Sequence, residues 1–278
     1  MIFSKRISTV LILFILVIGA GACANKNAIK PGDTVDVAFD KAKALYDKER
    51  FGDAARAFET VLSLGRGTDQ AREAQYLLAD SYFKNKEFLI AASEYRRYVT
   101  FYPRSERREE AEFMEAFSYY KISPRFKLDQ ADTERAITLF RVFIGRYPDS
   151  QKTTEAAQLV DEMRNKLARK SFTSAMMYYN LKLYNSAAMY FQVTIDNYPE
   201  TPFAEESQAR QVQAYVLYAD MSIPERQAER YQMAVDSWQR YTQLFPNGKN
   251  RGSAEQAFNT ARSALDRIGT PDGVTEGL

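Results

Sequence analysis

"ERAITLFRVFIGRYPDS", residues 134–150, is the stretch that decides the fold of this chain. Within it Ala136 stands four positions before Phe140, and Pro148 eight positions after. A four-residue step puts a small side chain and a ring on one face of an α-helix, so a neighbouring helix can approach at the alanine while the ring fills the space beside it. Proline then stops the helix, because it has no amide donor and crowds the preceding turn. The register recurs as Ala91, Tyr95 and Pro103, as Ala187, Phe191 and Pro199, and as Ala234, Trp238 and Pro246. A degenerate copy has Ala54 and Phe58, with Arg66 at the proline position, which makes five repeats.

Three residues before each alanine, Phe51, Phe88, Thr133, Tyr184 and Tyr231 open the second helix of a pair. The first helix carries an alanine followed three residues later by Tyr or Leu: Ala42 and Leu45, Ala79 and Tyr82, Ala116 and Tyr119, Ala175 and Tyr178, Ala214 and Leu217. The step from that second residue to the next alanine is nine in repeats one, two and four, but seventeen in repeats three and five. Both longer versions contain a proline, Pro124 or Pro224, and are expected to be loops between paired helices. The spacing resembles the tetratricopeptide repeat. It predicts an all-α, tetratricopeptide-like α-solenoid of five helix pairs, each pair burying its apolar face on the next.

One joint is longer. The sequence "TTEAAQLVDEMRNKLARKSFTSAMMYY", residues 153–179, has few helix breakers and apolar positions at Ala157, Val160, Met163 and Leu167, so one long helix is expected to bridge repeats three and four. This divides the array into two lobes joined by a long helix: repeats one to three over residues 37–168, repeats four and five over 169–268, then a disordered tail over 269–278. Thr201 with Pro202 fits an N-cap followed by a first-turn proline, and Ser150 is a second candidate cap.

The amino terminus is different in kind. Lys5 and Arg6 precede an unbroken apolar run from Val10 to Ile18 and then "GAGAC", which reads as a secretory signal over residues 1–22, too short to span a bilayer. Cys23 is the only cysteine, so it has no internal disulfide partner. Its place after Gly21 and Ala22 resembles a bacterial lipobox, which implies a lipidated first residue; the plainer alternative is a secreted protein with an incidental cysteine. Residues 23–36 lack periodicity and read as a lipidated flexible tether. Lys5 and Arg6 carry the only charges before Cys23, so the chain from Cys23 onward is formally neutral. That balance gives no general pull toward phosphate backbones and argues against nucleic acid as a partner.

The chain contains no histidine, which excludes histidine-based triads, histidine general bases and imidazole zinc sites. No phosphate-binding glycine loop is present, and clusters such as "SERREEAE" alternate sign as solvated helix faces do. No enzymatic activity and no cofactor are expected; binding is. Two aromatic rows follow the repeat register of the first helices. Tyr46, Phe83, Tyr120, Tyr179 and Tyr218 form one, and Phe39, Tyr76, Phe113, Phe172 and Gln211, seven residues earlier, form the other. Two helical turns separate the rows, so they share a face. By resemblance to tetratricopeptide repeats these are ligand-facing positions, and Phe39, Tyr46, Tyr76, Phe83, Phe113, Tyr120, Phe172 and Tyr179 are the candidate peptide-binding residues. Rings packed between adjacent first helices would give the same rows, and both arrangements stay open at this level.

Cys23, the five repeats, the long helix and above all "LDQADTERAITLFRVFIGRYPDSQKTTEAAQLVDEMRNKLARKSF", residues 128–172, together resemble the BamD family of outer-membrane β-barrel assembly lipoproteins. Generic repeats share the Ala, aromatic and Pro positions, but neither the Asp-Gln-x-x-Thr loop nor the long helix. The resemblance implies a periplasmic adaptor lipid-anchored through Cys23 on the inner face of the outer membrane. It implies N-terminal repeats that receive the carboxy-terminal targeting strand of unfolded barrel proteins, and C-terminal repeats that dock the POTRA domains of a BamA-like barrel subunit, beside other lipoproteins of the same machine. The rival reading is a cell-wall coordinator of the Tol-Pal type, which usually carries a trimerising coiled coil; residues 24–36 are too short for one and lack heptads.

Overall fold

The computed structural model describes residues 28–269. The expected signal over 1–22, the candidate lipidation site Cys23 and the tail beyond residue 269 lie outside the described residues. Among the described residues eleven helices follow one another: α1 Val35–Asp47, α2 Phe51–Leu64, α3 Asp69–Lys84, α4 Phe88–Phe101, α5 Arg108–Ile122, α6 Ala131–Arg146, α7 Thr153–Asn180, α8 Tyr184–Asn197, α9 Pro202–Asp220, α10 Pro224–Leu244 and α11 Arg251–Gly269. Among the described residues there is no strand, and no helix is long and apolar enough to cross a membrane. The all-α repeat fold is therefore present, in five helix pairs followed by α11.

The repeat positions do what their spacing demands. Ala54, Ala91, Ala136, Ala187 and Ala234 of the second helices, and Ala42, Ala79, Ala116, Ala175 and Ala214 of the first, are all fully buried. Phe58, Tyr95, Phe140 and Phe191 are equally inaccessible beside them, and Trp238 nearly so. Burying such a ring contributes roughly 1.5–3 kcal/mol of transfer free energy, so the array is held by one contact type used five times.

The Tyr-Pro signals end their helices in one shared geometry. The aromatic before each proline is the C-cap, with φ between −124 and −137 and ψ between 51 and 62 at Tyr102, Tyr147, Tyr198 and Phe245. Proline forces that residue out of the helical region. Each cap carbonyl then accepts from the amide three residues on, from Ser105, Ser150, Thr201 and Gly248, at 3.0–3.1 Å, and Gly65 closes the first repeat in the same way onto Thr68.

The two loop classes also separate. In repeats one, two and four the turn inside the pair passes through a left-handed residue, Glu49, Lys86 or Lys182, with φ of 58 to 65. In each case the amide of the following residue reaches back to the first helix: Arg50 to the Leu45 carbonyl, Glu87 to Tyr82 and Leu183 to Tyr178, at 2.9–3.0 Å. In repeat three the insertion is a true loop over residues 123–130. In repeat five the expected loop around Pro224 is not one. Pro224 is the first residue of α10, which begins seven residues before Tyr231, and only residues 221–223 separate α9 from α10. A proline at the first helical position gives up an amide that has no partner there anyway, and the residues after it are good helix formers, with Arg226 and Glu229 paired at 2.9 Å.

The expected long helix is present as α7, 28 residues from Thr153 to Asn180. The chain packs as two compact units divided after Ser118, inside α5, so α7 lies wholly within the second unit. In the first unit α1–α4 pack in succession around Ala42, Phe58, Leu78, Tyr95 and Tyr98. The expected tether is shorter than read: Ile29 packs against this core, and Asp33 pairs with Lys41 at 2.6 Å. In the second unit α6 to α11 pack pairwise in chain order, with α9 also touching α7 and α11, and cores form around Phe191 and around Val212, Trp238 and Tyr241.

Of the expected caps, Thr201 stands as N-cap of α9 with extended backbone, but its hydroxyl donates to the Tyr198 carbonyl at 2.9 Å instead of receiving a helix amide. Ser150 precedes α7 by a turn and accepts from the Lys152 amide at 3.1 Å.

Candidate functional site

In the first unit the candidate rings are packed, to different depths. Tyr76 and Phe113 are buried, whereas Phe39, Tyr46 and Phe83 are half-buried. Tyr76 meets Tyr95 and Tyr98 edge-on at 5.8 and 5.5 Å between ring centres, so it belongs to the core and is not open to a ligand. Phe39 lies 6.1 Å from Phe58. Phe83 lies between Phe88 at 5.1 Å and Phe117 at 5.9 Å, and Phe113 stacks on Phe117 at 5.8 Å. For Tyr76 and Phe113 the packed arrangement applies. The other three keep one side toward solvent.

Tyr46 is tied down by polar groups that the aromatic register does not reveal. Its hydroxyl donates to Asp80 and accepts from Lys84, and the Lys84 ammonium sits 4.4 Å over its ring. Asp80 also pairs with Lys84 at 3.1 Å and accepts from the Tyr95 hydroxyl at 3.1 Å. Burial, then the Asp80 hydrogen bond, pushes the Tyr46 hydroxyl above its ordinary pKa. The sequence signal was Asp80 and Lys84 one turn apart on the face of α3 that meets α1. A separate cleft of about 780 Å³, lined by residues including Leu62, Leu78, Arg97 and Phe101, includes none of the candidate rings.

In the second unit Tyr120, Phe172, Tyr179 and Tyr218 are all half-buried. Tyr120 donates to Glu162 of α7 at 3.0 Å. Phe172 packs on Phe191 and Phe203 at 5.7 and 5.6 Å, and Tyr179 on Tyr184 at 5.4 Å. Arg230 lies 4.0 Å over the Tyr218 ring. Gln211, the one non-aromatic of the rows, is a buried polar link: its amide nitrogen donates to the Ala188 carbonyl and to Gln192, both at 3.0 Å, while its oxygen accepts from Gln208 and from Ser237 at 2.9 and 3.0 Å. It joins α8, α9 and α10 where a ring would leave amide groups unpaired.

One apolar exposure in this unit lies off both rows. On α8, Met189, Tyr190 and Val193 are 61%, 41% and 45% exposed, and Met177, Leu181 and Leu183 are exposed at the neighbouring end of α7 and its turn. Tyr190 stacks on Tyr178 at 4.5 Å, which fixes part of this surface before anything binds. Clustered apolar side chains left in water mark contact surfaces for other macromolecules. Repeat logic treats these positions as the solvent side of the second helix, so only their residue types gave a signal. Among the described residues no cluster of acidic or cysteine side chains is arranged to hold a metal.

A family model described as "Outer membrane lipoprotein" (YfiO) matches residues 31–227. The chain is 22% identical to the outer membrane protein assembly factor BamD of Caulobacter vibrioides, over 98% of this chain and 92% of that one. It is 32% identical to the putative outer membrane protein assembly factor BamD of Aquifex aeolicus, over 72% of this chain and 65% of that one. A similar solved structure is the TPR2AB domain of yeast Sti1 in its pHSP90 complex, 13% identical over 82% of this chain and 98% of that one, with a TM-score of 0.38. With the family model spanning residues 31–227 of 278, the chain belongs to the YfiO family of outer membrane lipoproteins, that of the BamD assembly factors.

Proposed function

We propose that this protein is a non-enzymatic adaptor in outer-membrane protein assembly, anchored through a lipidated Cys23 on the periplasmic face of the outer membrane. The assembly role comes from its BamD relatives, which are named as outer membrane protein assembly factors. In this reading the N-terminal repeats receive the targeting strands of unfolded barrel proteins and the C-terminal repeats dock POTRA domains of a BamA-like barrel subunit. The observation that carries the docking half is the exposed apolar face of Met189, Tyr190 and Val193 with the adjoining α7 end. A surface of this kind suits a folded partner domain, because its burial returns transfer free energy without ordering a disordered chain. For the targeting strand, Phe39, Tyr46 and Phe83 are the first-unit rings with a solvent side, and an amphipathic strand rich in aromatics matches them chemically.

The test is site-specific photo-crosslinking in intact cells. A photoreactive residue in place of Tyr190 is expected to capture a POTRA-containing barrel subunit, and one in place of Phe83 to capture unfolded barrel proteins. Adducts at neither position would overturn the reading, and exchange of the two captured classes would overturn its division between repeats.

A further inference from the structure

The Asp-Gln-x-x-Thr loop that sets this chain apart from generic repeats builds a cationic cleft in the second unit. Gln130 is buried and acts as the keystone of residues 123–130. Its amide nitrogen donates to the Arg125 and Leu128 carbonyls, both at 3.0 Å, and its oxygen accepts from the Thr133 hydroxyl at 2.8 Å. Thr133 in turn meets Ser123 at 2.6 Å. From α7, Lys166 donates to the Ser123 hydroxyl and Lys170 to the Leu128 carbonyl at 2.6 Å. The loop is thereby fixed along the long helix, through Gln130 from within and through Lys166 and Lys170 from α7.

Those side chains read Arg125, Phe126, Lys127, Leu128, alternating charge with apolar surface. With Lys166 and Arg169 of α7 and Phe203 of α9 they line a cleft of about 910 Å³. Its lining contains four cations and no carboxylate, and among the described residues none of the four is within ion-pair distance of an acid. Of the nearby acids, Asp129 accepts from the Ala131 amide at 2.9 Å at the start of α6, and Glu162 accepts from Tyr120 while its charge also acts on Lys166. The Arg169 guanidinium carbon lies 4.3 Å from the centre of the Phe126 ring, a cation–π contact that places the group beside the loop.

We infer that this cleft docks an extended acidic segment of a protein partner in which Asp or Glu alternates with aromatic or aliphatic residues. Charge complementarity selects the sign. The arrangement favours a chain over a compact phosphate, since the cations come from a loop and a helix and Phe126, Leu128 and Phe203 share the lining with them. Arg169 favours carboxylate, which it can meet with two parallel hydrogen bonds. This inference is independent of the POTRA reading, whose surface is the apolar face of α8.

The experiment titrates the full detergent-solubilised chain with a fluorescent peptide that alternates glutamate with phenylalanine and leucine, with its glutamine counterpart as control, and with phosphatidylglycerol vesicles. The expected result is binding of the glutamate peptide only, weakened by roughly tenfold in Arg125→Gln/Lys127→Gln/Arg169→Gln and by added salt. Lys127→Gln alone, at an exposed position, is expected to give a smaller loss in the same direction without touching the loop's hydrogen bonds. Equal affinity for both peptides, affinity unchanged in both variants, or cation-dependent binding of the vesicles without the peptide would each overturn the proposal.

Discussion

At the scale of residues, the places where the molecule is least tolerant are those where the repeat brings backbone against side chain. Gly248, after the last Phe-Pro signal, is one: a Cβ there would fall within 2.6 Å of Glu205 and closer still to the Tyr241 hydroxyl. Glu205 accepts from the Asn250 amide at 2.8 Å, from its side chain at 2.6 Å and from Tyr241, so it ties α9 and α10 to the turn before α11. Gly248→Ala is expected to destabilise the protein by about 1–3 kcal/mol in urea denaturation, because that link must open. The alanines and rings around such links were legible from spacing alone, since a helix period is a local property. Asp80 under Tyr46 and Glu205 under Tyr241 were not, because each partner is more than thirty residues away and chosen by how helices stack. For the same reason the ring register identified Tyr76 and Phe113 as aromatic but could not tell a core position from a ligand-facing one.

At the scale of elements, the long helix and the second insertion show what a sequence reading can and cannot decide. α7 was legible because nothing in 153–179 breaks a helix and its apolar residues hold one face. The Pro224 segment was misread because proline marks both a loop and a first helical turn, and only the neighbours of α10 decide which. The 123–130 loop was correctly a loop, but its order comes from Gln130, whose role depends on a fold-back that no periodicity encodes. Gln130→Ala is expected to cost about 1–3 kcal/mol by leaving buried partners unpaired. Amide hydrogen exchange should rise over 123–130 while α7 keeps its protection; equal protection in both proteins would show that the loop is held by something else.

At the scale of the whole molecule, tyrosine burial is expected to set the alkaline limit of stability. Burial first, and nearby acids after it, raise the hydroxyls of Tyr76, Tyr95 and Tyr241, and burial with the Asp220 hydrogen bond pushes Tyr231 up to about 12. Their folded values lie above the unfolded value of about 10, so their contribution is complete below about pH 10 and is lost as pH rises through the folded values. Urea midpoints should therefore hold from neutral pH to about pH 10 and then fall. On the acid side Glu200, held below the usual carboxylate range chiefly by its hydrogen bond to Arg164, adds a contribution that disappears as pH falls through its folded value.

The central claim, that this repeat array works by gripping other polypeptides, is tested most directly by titrating purified POTRA domains of the barrel subunit into the full chain and into Met189→Asp/Tyr190→Asp. Both positions are exposed and the variant gives up only the Tyr178–Tyr190 stack, so its urea midpoint should fall slightly while the fold is kept. The account predicts a POTRA affinity at least roughly tenfold weaker in the variant. An unchanged affinity, or no POTRA binding by the parent chain, would contradict it.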